Sequence, residues 1–212
     1  MSRAGALLFG HYAFPPNRLG YCGPDDSAEL FGYLASDRAD RGLVEIERRF
    51  DGAFPYLTLI AGANGITDPF DRRVVEAYWV GNPWLERVEA SPFYQSLRDR
   101  FQPRMTAGDF RSLAGKLEAA ARPHHNFHVF EVYLRTGYLR DDLAAITVER
   151  MDACRVSWGR VESVGAEGVE VSRSPLVLER GRLALGPPAP VRVEGPLLAQ
   201  AAGPGVQPGD HV

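Results

Sequence analysis

The stretch MDACRVSWGRVESVGAEGVEV, residues 151–171, decides the fold class because the hydrophobic period changes inside it. Upstream of it, apolar residues recur every three or four positions, which is the spacing of amphipathic helices. From Arg155 onward they form short alternating groups, as where Val169 and Val171 flank a polar residue, and this pattern is typical of strands with one buried face. The sequence therefore predicts an α+β chain whose helical part meets its β part near Cys154.

Residues 1–153 are predicted to form an all-α domain of seven or so short helices with short connections. Two of these helices have strong start signals, Asp68-Pro69 and Ser91-Pro92, in which a capping residue precedes a proline at the first helical position. Asp141 or Asp142 is expected to cap the last helix.

Residues 154–212 are predicted to form a small OB-like β-barrel. Short strands at close spacing, separated by glycine and proline turns, are the pattern of such a barrel. Residues 197–202 are expected to add one helical turn. Closing the barrel would need a further strand after Gly209-Asp210, so the barrel is expected to stay open or to be incomplete at its C-terminal end.

Composition excludes several function classes. The chain has 212 residues and a formal net charge of −3, and no basic run breaks the balance of charge, so we expect no nucleic-acid partner. The apolar run at the N-terminus is too short for a signal peptide or a membrane span. Two distant cysteines do not make a disulfide framework, and the sequence therefore predicts a cytoplasmic protein that does not bind membranes.

The stretch FGHYAFPPNRLGYCGP, residues 9–24, is predicted to be a shaped and packed loop. Pro15-Pro16 fixes part of its backbone, whereas its glycines permit conformations that other residues avoid. Packed loops on a rigid scaffold are common places for function. The candidate binding residues in this loop are Tyr12, Phe14, Asn17 and Tyr21.

Cys22 in this loop is a candidate reactive thiol. It precedes a helix predicted to start near Asp25, and a helix N-terminus can lower a thiol pKa so that the cysteine acts as a ligand or nucleophile. With His128 and Asn126 it offers a formal Cys-His-Asn arrangement for catalysis, although no local signature marks one. The alternative is a buried cysteine that packs as a small apolar group, which is the role predicted for Cys154.

A candidate metal site lies on the helix that is predicted to start at Pro123 and to run through Leu134. A spacing of i, i+4 and i+7 places two histidines and a carboxylate on one face, and such a site suits iron, nickel or zinc. The alternative is a solvated or interface face, and His125 is expected to be exposed elsewhere. The candidate ligands are His124, His128 and Glu131, joined by Cys22 and His11 if the opening loop packs against this helix.

Three segments, residues 9–24, 74–83 and 126–130, resemble an uncharacterised bacterial family whose members occur near nickel–iron hydrogenase genes. The resemblance covers nearly the whole chain, and its motifs are long. It implies a role beside a hydrogenase, but the family has no established activity to carry over.

The C-terminal part resembles the barrel of the hydrogenase maturation chaperones called HypC or HupF. The resemblance rests on Trp158-Gly159-Arg160-Val161, on residues 169–185, and on the closing Gln207-Pro208-Gly209-Asp210-His211-Val212. In that family the functional cysteine follows the initiator methionine, where this chain has Ser2. Cys22 lies in the other predicted domain, so the family's iron-carrying role is not transferred to it.

Three functions follow, in this order of preference. The first is an accessory or chaperone-like protein in nickel–iron hydrogenase maturation, which binds a hydrogenase large-subunit precursor or a maturation factor. The second is a structural two-domain binding protein. The third is a metal- or thiol-dependent enzyme with its site between the Cys22 loop and the His128 helix. The sequence favours binding over catalysis, and the position of Cys22 relative to His128 separates the three.

Overall fold

The computed structural model describes residues 2–118, 120–136, 144–165, 168–194 and 205–212. The predictions for Asp141, Asp142 and residues 197–202 lie outside these ranges. The α-helices are α1 (Arg3–Arg18), α2 (Ser27–Ala35), α3 (Arg41–Arg48), α4 (Phe54–Ala63), α5 (Arg72–Trp79), α6 (Ala90–Phe101), α7 (Ala107–Glu118), α8 (His125–Phe127) and α9 (Ala144–Cys154). The strands are β1 (Arg160–Gly165), β2 (Gly168–Arg173), β3 (Leu176–Glu179), β4 (Arg182–Leu185) and β5 (Ala189–Glu194). The predicted order, a helical N-terminal region followed by a β region, is confirmed.

Helix α1 lies at the centre of the helical region and contacts α2, α3, α5 and α9. Its Phe9 is fully buried and meets the rings of Phe50, Phe70 and Trp79 edge-on, at centroid distances of 5.4, 5.6 and 6.0 Å. Gly5 lets the helix approach this closely, because a Cβ there would lie 1.7 Å from the carbonyl oxygen of Phe70. The core therefore forms around the first helix of the chain.

The predicted loop over residues 9–24 is mostly helix, and that prediction is wrong up to Arg18. Pro15 and Pro16 lie inside α1, where each lacks the N–H that would bond to a carbonyl one turn earlier. The helix tolerates this loss because the last turns are packed, with Phe14, Pro16 and Asn17 buried. Only the segment from residue 19 to residue 26 is a loop.

The helix predicted to start at Pro123 is shorter and irregular. His124 precedes the helical turn α8 and accepts a hydrogen bond from the backbone N–H of Asn126 at 3.1 Å. A π-helical turn, His128–Val132, follows α8, and a 3₁₀ turn, Tyr133–Arg135, follows that. Because the period is not 3.6 throughout, His124, His128 and Glu131 do not share a regular helix face.

The described strands form two antiparallel sheets, and a closed barrel is not shown. One sheet has the order β1-β2-β5, and β3 with β4 forms a separate hairpin. The hairpin does not close on the first sheet, because Leu176 of β3 is buried against Val148 and Met151 of α9. After the turn at Gly209-Asp210, Val212 exchanges two backbone hydrogen bonds with Gly159, at 2.8 and 2.9 Å, beside β1.

None of the described helices is both long and apolar enough to cross a bilayer.

Candidate functional site

A cavity of about 90 Å³ lies between the loop after α1, helix α5, the irregular segment 125–133 and the end of α9. Its walls are mostly apolar, but both cysteines of the chain line it. Cys22 and Cys154 are free thiols, and each is partly exposed. The polar or reactive side chains around the cavity are Tyr21, Cys22, Tyr78, Trp79, His125, His128, Tyr133, Arg150 and Cys154.

The loop that carries Cys22 is held in place by the end of α1. Gly20 has a φ of 70°, and the backbone N–H groups of Gly20 and Tyr21 donate to the carbonyls of Asn17 and Pro16 at 2.8 and 3.1 Å. These two bonds form a Schellman cap, which turns the chain sharply at the helix end. The buried side chain of Asn17 then donates from Nδ2 to the carbonyl of Cys22 at 2.8 Å.

Two further contacts fix the same loop. Asn17 Nδ2 also donates to the carbonyl of Pro24 at 2.8 Å, so one amide bridges both sides of Gly23. Gly23 has a φ of 76°, and a Cβ there would lie 2.3 Å from the ring of Phe50. The Cys22 thiol thus faces the cavity from a loop with little freedom to move.

Cys154 enters the cavity as the last residue of α9. Its carbonyl accepts a 2.6 Å hydrogen bond from Nε2 of His125, which is buried at 6% exposure. The other ring nitrogen of His125 lies 3.1 Å from the hydroxyl of Tyr78, and the ring centroid lies 4.0 Å from that of Trp79. Burial lowers the pKa of His125 to about 3, so the ring is neutral and Nε2 carries the donated proton.

The two thiols are electrostatically unequal. The neighbouring Cys154 thiol raises the pKa of Cys22, and burial raises it further. Pairing with Cys22 lowers the pKa of Cys154 against the opposing effect of burial, and the positive charge of Arg150 lowers it further. The C-terminal position of Cys154 on α9 opposes this shift, because that end of a helix dipole is negative. Cys154 is therefore the more readily ionised thiol, and Cys22 is its proton-bearing neighbour.

His128 lines the cavity but is not held by Asn126, as a Cys-His-Asn arrangement requires. Its Nδ1 lies 3.2 Å from the hydroxyl of Tyr56, whose ring is covered by the guanidinium of Arg100 at 4.7 Å. The Tyr56 hydroxyl and Nδ1 of His128 are therefore hydrogen-bond partners. Burial lowers the pKa of His128 to about 3, so this ring too is neutral.

The amide of Asn126 is used elsewhere, because its Oδ1 accepts from the backbone N–H of Val156 at 3.2 Å. It thereby joins the segment containing α8 to the chain that leaves α9. This contact supports the frame of the cavity and orients neither His128 nor a thiol.

The candidate metal ligands are not brought together. Among the residues that the structure describes, no group of three or more histidine, cysteine, aspartate or glutamate side chains is arranged to hold a metal ion. Glu131 is ion-paired with Arg135 at 2.6 Å and with Lys116 at 3.4 Å. Of the predicted ligands, only Cys22 and His128 line the cavity. Cys154, which was not predicted as a ligand, lines it as well.

His11 and His124 do not line this cavity. His11 lies in α1, and its pKa is lowered by burial against the opposing effect of Asp37. His124 is used as a cap, as described above, and burial lowers its pKa as well.

The four candidate binding residues have different roles. Tyr12 stacks on Trp79 at 5.5 Å, and Phe14 packs against Phe31 at 5.5 Å, so both belong to the packing of α1. Asn17 supports the loop. Tyr21 alone borders the cavity, and its hydroxyl donates to Glu149 at 3.2 Å.

Sequence reasoning missed three residues of the site. Cys154 was predicted to be a packing residue, His125 was expected to be exposed, and Arg150 was not considered. Arg150 and Cys154 are four positions apart on one helix, a spacing that places both on one face, and this was the available signal. The burial of His125 depends on distant residues and had no local signal.

The fold and the site together define an α+β protein with a paired-thiol cavity inside its helical region. A family model matches residues 1–212, and the chain belongs to that family, DUF6390, a family of unknown function. No curated protein and no solved structure matches the chain.

Proposed function

We propose that this chain is a thiol–disulfide exchange protein that cycles between a Cys22–Cys154 dithiol and a Cys22–Cys154 disulfide. The observation that supports the proposal is the placement of both thiols in one cavity, where each shifts the pKa of the other. A cysteine that only fills space in the core needs no second thiol beside it. A redox pair does, since one thiol must attack the substrate disulfide and the other must then attack the mixed disulfide.

Cys154 is the attacking thiol. Its thiolate attacks one sulfur of a small disulfide, the S–S bond of that disulfide breaks, and a mixed disulfide forms on Cys154. The leaving thiolate takes up a proton and departs as a free thiol. The lowered pKa of Cys154 increases the thiolate fraction that is available for this step.

Cys22 is the resolving thiol. It loses its proton to solvent or to the leaving thiolate and attacks the sulfur of Cys154 in the mixed disulfide. The second small thiol leaves, and the Cys22–Cys154 disulfide remains. The small disulfide has then been reduced to two thiols, and the protein has been oxidised by two electrons.

The test is the reaction of the reduced protein with 2-hydroxyethyl disulfide, followed by mass spectrometry. Cys154→Ser should slow the reaction roughly tenfold or more, because the more acidic thiol is lost. Cys22→Ser should react quickly but stop at a stable mixed disulfide on Cys154. If Cys22→Ser removes the fast reaction and Cys154→Ser keeps it, the roles assigned here are wrong. If both variants react like the wild-type protein, the pair does not act as a unit.

A role beside a nickel–iron hydrogenase stays a prediction, as do cytoplasmic location and a protein partner. In its favour is the Pro208-Gly209-Asp210 turn, after which Val212 lies beside Gly159 at the start of the sheet. Co-purification of the full chain with a hydrogenase large subunit would support that role, and its failure in a strain that makes both proteins would oppose it.

A further inference from the structure

Arg150 faces the cavity with unused hydrogen-bonding capacity. Its guanidinium lies 5.3 Å from the ring centroid of Tyr21, and its Nε is buried with no hydrogen-bond partner among the described residues. The neighbouring carboxylate of Glu149 is directed to the Tyr21 hydroxyl. A buried guanidinium donor without a partner is costly, so a site of this kind favours an anionic ligand.

Three other partly buried arginines are ion-paired with carboxylates. Arg155 and Arg173 both bind Asp152, at 2.9 and 2.8 Å, and Arg135 binds Glu131 at 2.6 Å. Arg100 also has a buried nitrogen without a partner, but it donates to the carbonyl of Asp51 and does not line the cavity. Arg150 is the arginine that lines the cavity, and its Nε is unpartnered.

We propose that Arg150 binds a carboxylate of the incoming disulfide, so that the protein prefers disulfides of small, carboxylate-bearing thiols. This inference rests on the function proposed above. A planar guanidinium matches a carboxylate through two parallel hydrogen bonds, which a hydroxyl or an amine cannot offer.

The shared cavity fits a small thiol. Arg150 and Cys154 both line it, so a carboxylate bound at Arg150 keeps a sulfur two or three carbons away inside the cavity that Cys154 faces. The cavity has a volume of about 90 Å³, roughly that of three water molecules in the liquid, so it admits one short arm of the disulfide and excludes a folded partner.

The test compares three aliphatic disulfides of similar size with reduced full-length protein. They are 3,3′-dithiodipropionate, which carries two carboxylates, neutral 2-hydroxyethyl disulfide, and cationic cystamine. Each rate is divided by the rate of a free model thiol with the same reagent, which removes the intrinsic reactivity of the disulfide. The wild-type protein should prefer the dicarboxylate over the neutral disulfide by roughly tenfold and should disfavour cystamine.

Arg150→Gln should reduce the preference to about one, whereas Arg150→Lys, which keeps the charge but not the planar fork, should retain part of it. A ratio of rates is used because Arg150→Gln also removes a charge beside Cys154 and slows all three reactions alike. Arg160→Gln, at an exposed arginine of β1 that does not line the cavity, is the control and should keep the wild-type preference.

The outcomes separate this inference from the proposed function. If Cys154 reacts rapidly with all three disulfides at equal normalised rates, or if Arg150→Gln keeps the preference, Arg150 does not select the substrate and the exchange function stands. If none of the three forms a mixed or internal disulfide, the exchange function itself is wrong.

Discussion

The Cys22 and Cys154 thiols line one cavity and shift each other's pKa in opposite directions, although one lies in the loop after the first helix and the other ends the last described helix. The pairing joins the two ends of the helical region across a small cavity. It also makes the two thiols chemically different, because the pKa of Cys22 is raised and that of Cys154 is lowered. This difference is the basis of the roles assigned to them.

Asn17→Ala should impair the cavity as well as the stability of the fold. The amide of Asn17 donates to the carbonyls of Cys22 and Pro24, and losing both bonds should lower the free energy of unfolding by about 1–3 kcal/mol. Closure of the internal disulfide should also slow, because the loop gains freedom. Urea unfolding and the rate of closure measure the two effects.

Asn64→Ala is the matched control. The Asn64 amide also donates to two backbone carbonyls, those of Ile60 and Trp84, at 2.8 and 3.0 Å, but it does not line the cavity. It should destabilise the protein by a similar amount and leave disulfide closure unchanged. Equal slowing in both variants would show that the Asn17 effect reflects stability alone.

Gly23→Ala and Gly20→Ala should differ sharply. Both glycines have a positive φ, 76° and 70°, so alanine costs about 1 kcal/mol of backbone strain at either position. Only at residue 23 would the new Cβ also collide with the Phe50 ring, whereas nothing lies within 4 Å at residue 20. Thermal unfolding should show a loss for Gly23→Ala larger by at least about 1 kcal/mol, and equal losses would contradict the packing described.

The free energy of unfolding should fall as pH drops below about 6.5. The pKa values of His125 and His128 are lowered to about 3 in the folded protein. Below pH 6.5 the unfolded chain therefore binds protons at these two rings that the folded chain does not bind. Their contribution is fully present above the unfolded pKa and is lost between pH 6.5 and 3, at about 1.4 kcal/mol per pH unit for each ring.

Unfolding by urea between pH 7.5 and pH 5 measures this dependence. His128→Gln should reduce this slope by up to about 1.4 kcal/mol per pH unit. A wild-type slope that His128→Gln does not alter would mean that His128 is protonated in the folded state.

Glu47→Gln should stabilise the protein at alkaline pH. Glu47 of α3 is fully buried against Gly10, both of its carboxyl oxygens lack a hydrogen-bond partner among the described residues, and burial raises its pKa well above the usual value. Because the unfolded chain loses this proton at a lower pH than the folded chain does, stability is lost as pH rises above about 4.5.

At pH 8 the variant should gain about 1–3 kcal/mol, and at pH 4 the gain should vanish. Glu45→Gln, at an exposed glutamate of the same helix, is the control for the substitution itself. A gain that does not vary with pH would indicate that Glu47 is uncharged or paired throughout.

The sequence predicted the α+β order and the start signals of several helices, because both depend on local patterns. It failed for α1. The start of that helix is marked by Ser2, which accepts a hydrogen bond from the N–H of Gly5, and its end by Gly20, whose backbone is in the left-handed region. Pro15-Pro16 indicated a loop in spite of those signals. The packing that compensates for the two missing hydrogen bonds comes from other helices, so no local pattern shows it.

The site could be predicted only in part. Cys22 and His128 were expected to meet if the chain contained a reaction centre, and they do line one cavity. Cys154 was assigned to packing because neither of its decisive neighbours, Cys22 and His125, is close in sequence. Their proximity follows from the packing of α9 against α1, which no local pattern encodes.

The internal disulfide tests the central claim most directly. Folded full-length protein is equilibrated in dithiothreitol redox buffers, its free thiols are alkylated, and the peptides are mapped by mass spectrometry. We predict that residues 22 and 154 lose their thiols together in one two-electron step and appear in a single cross-linked peptide pair, while the protein stays folded and monomeric. Independent oxidation of the two cysteines, or disulfide-linked dimers in place of the internal bond, would contradict the account.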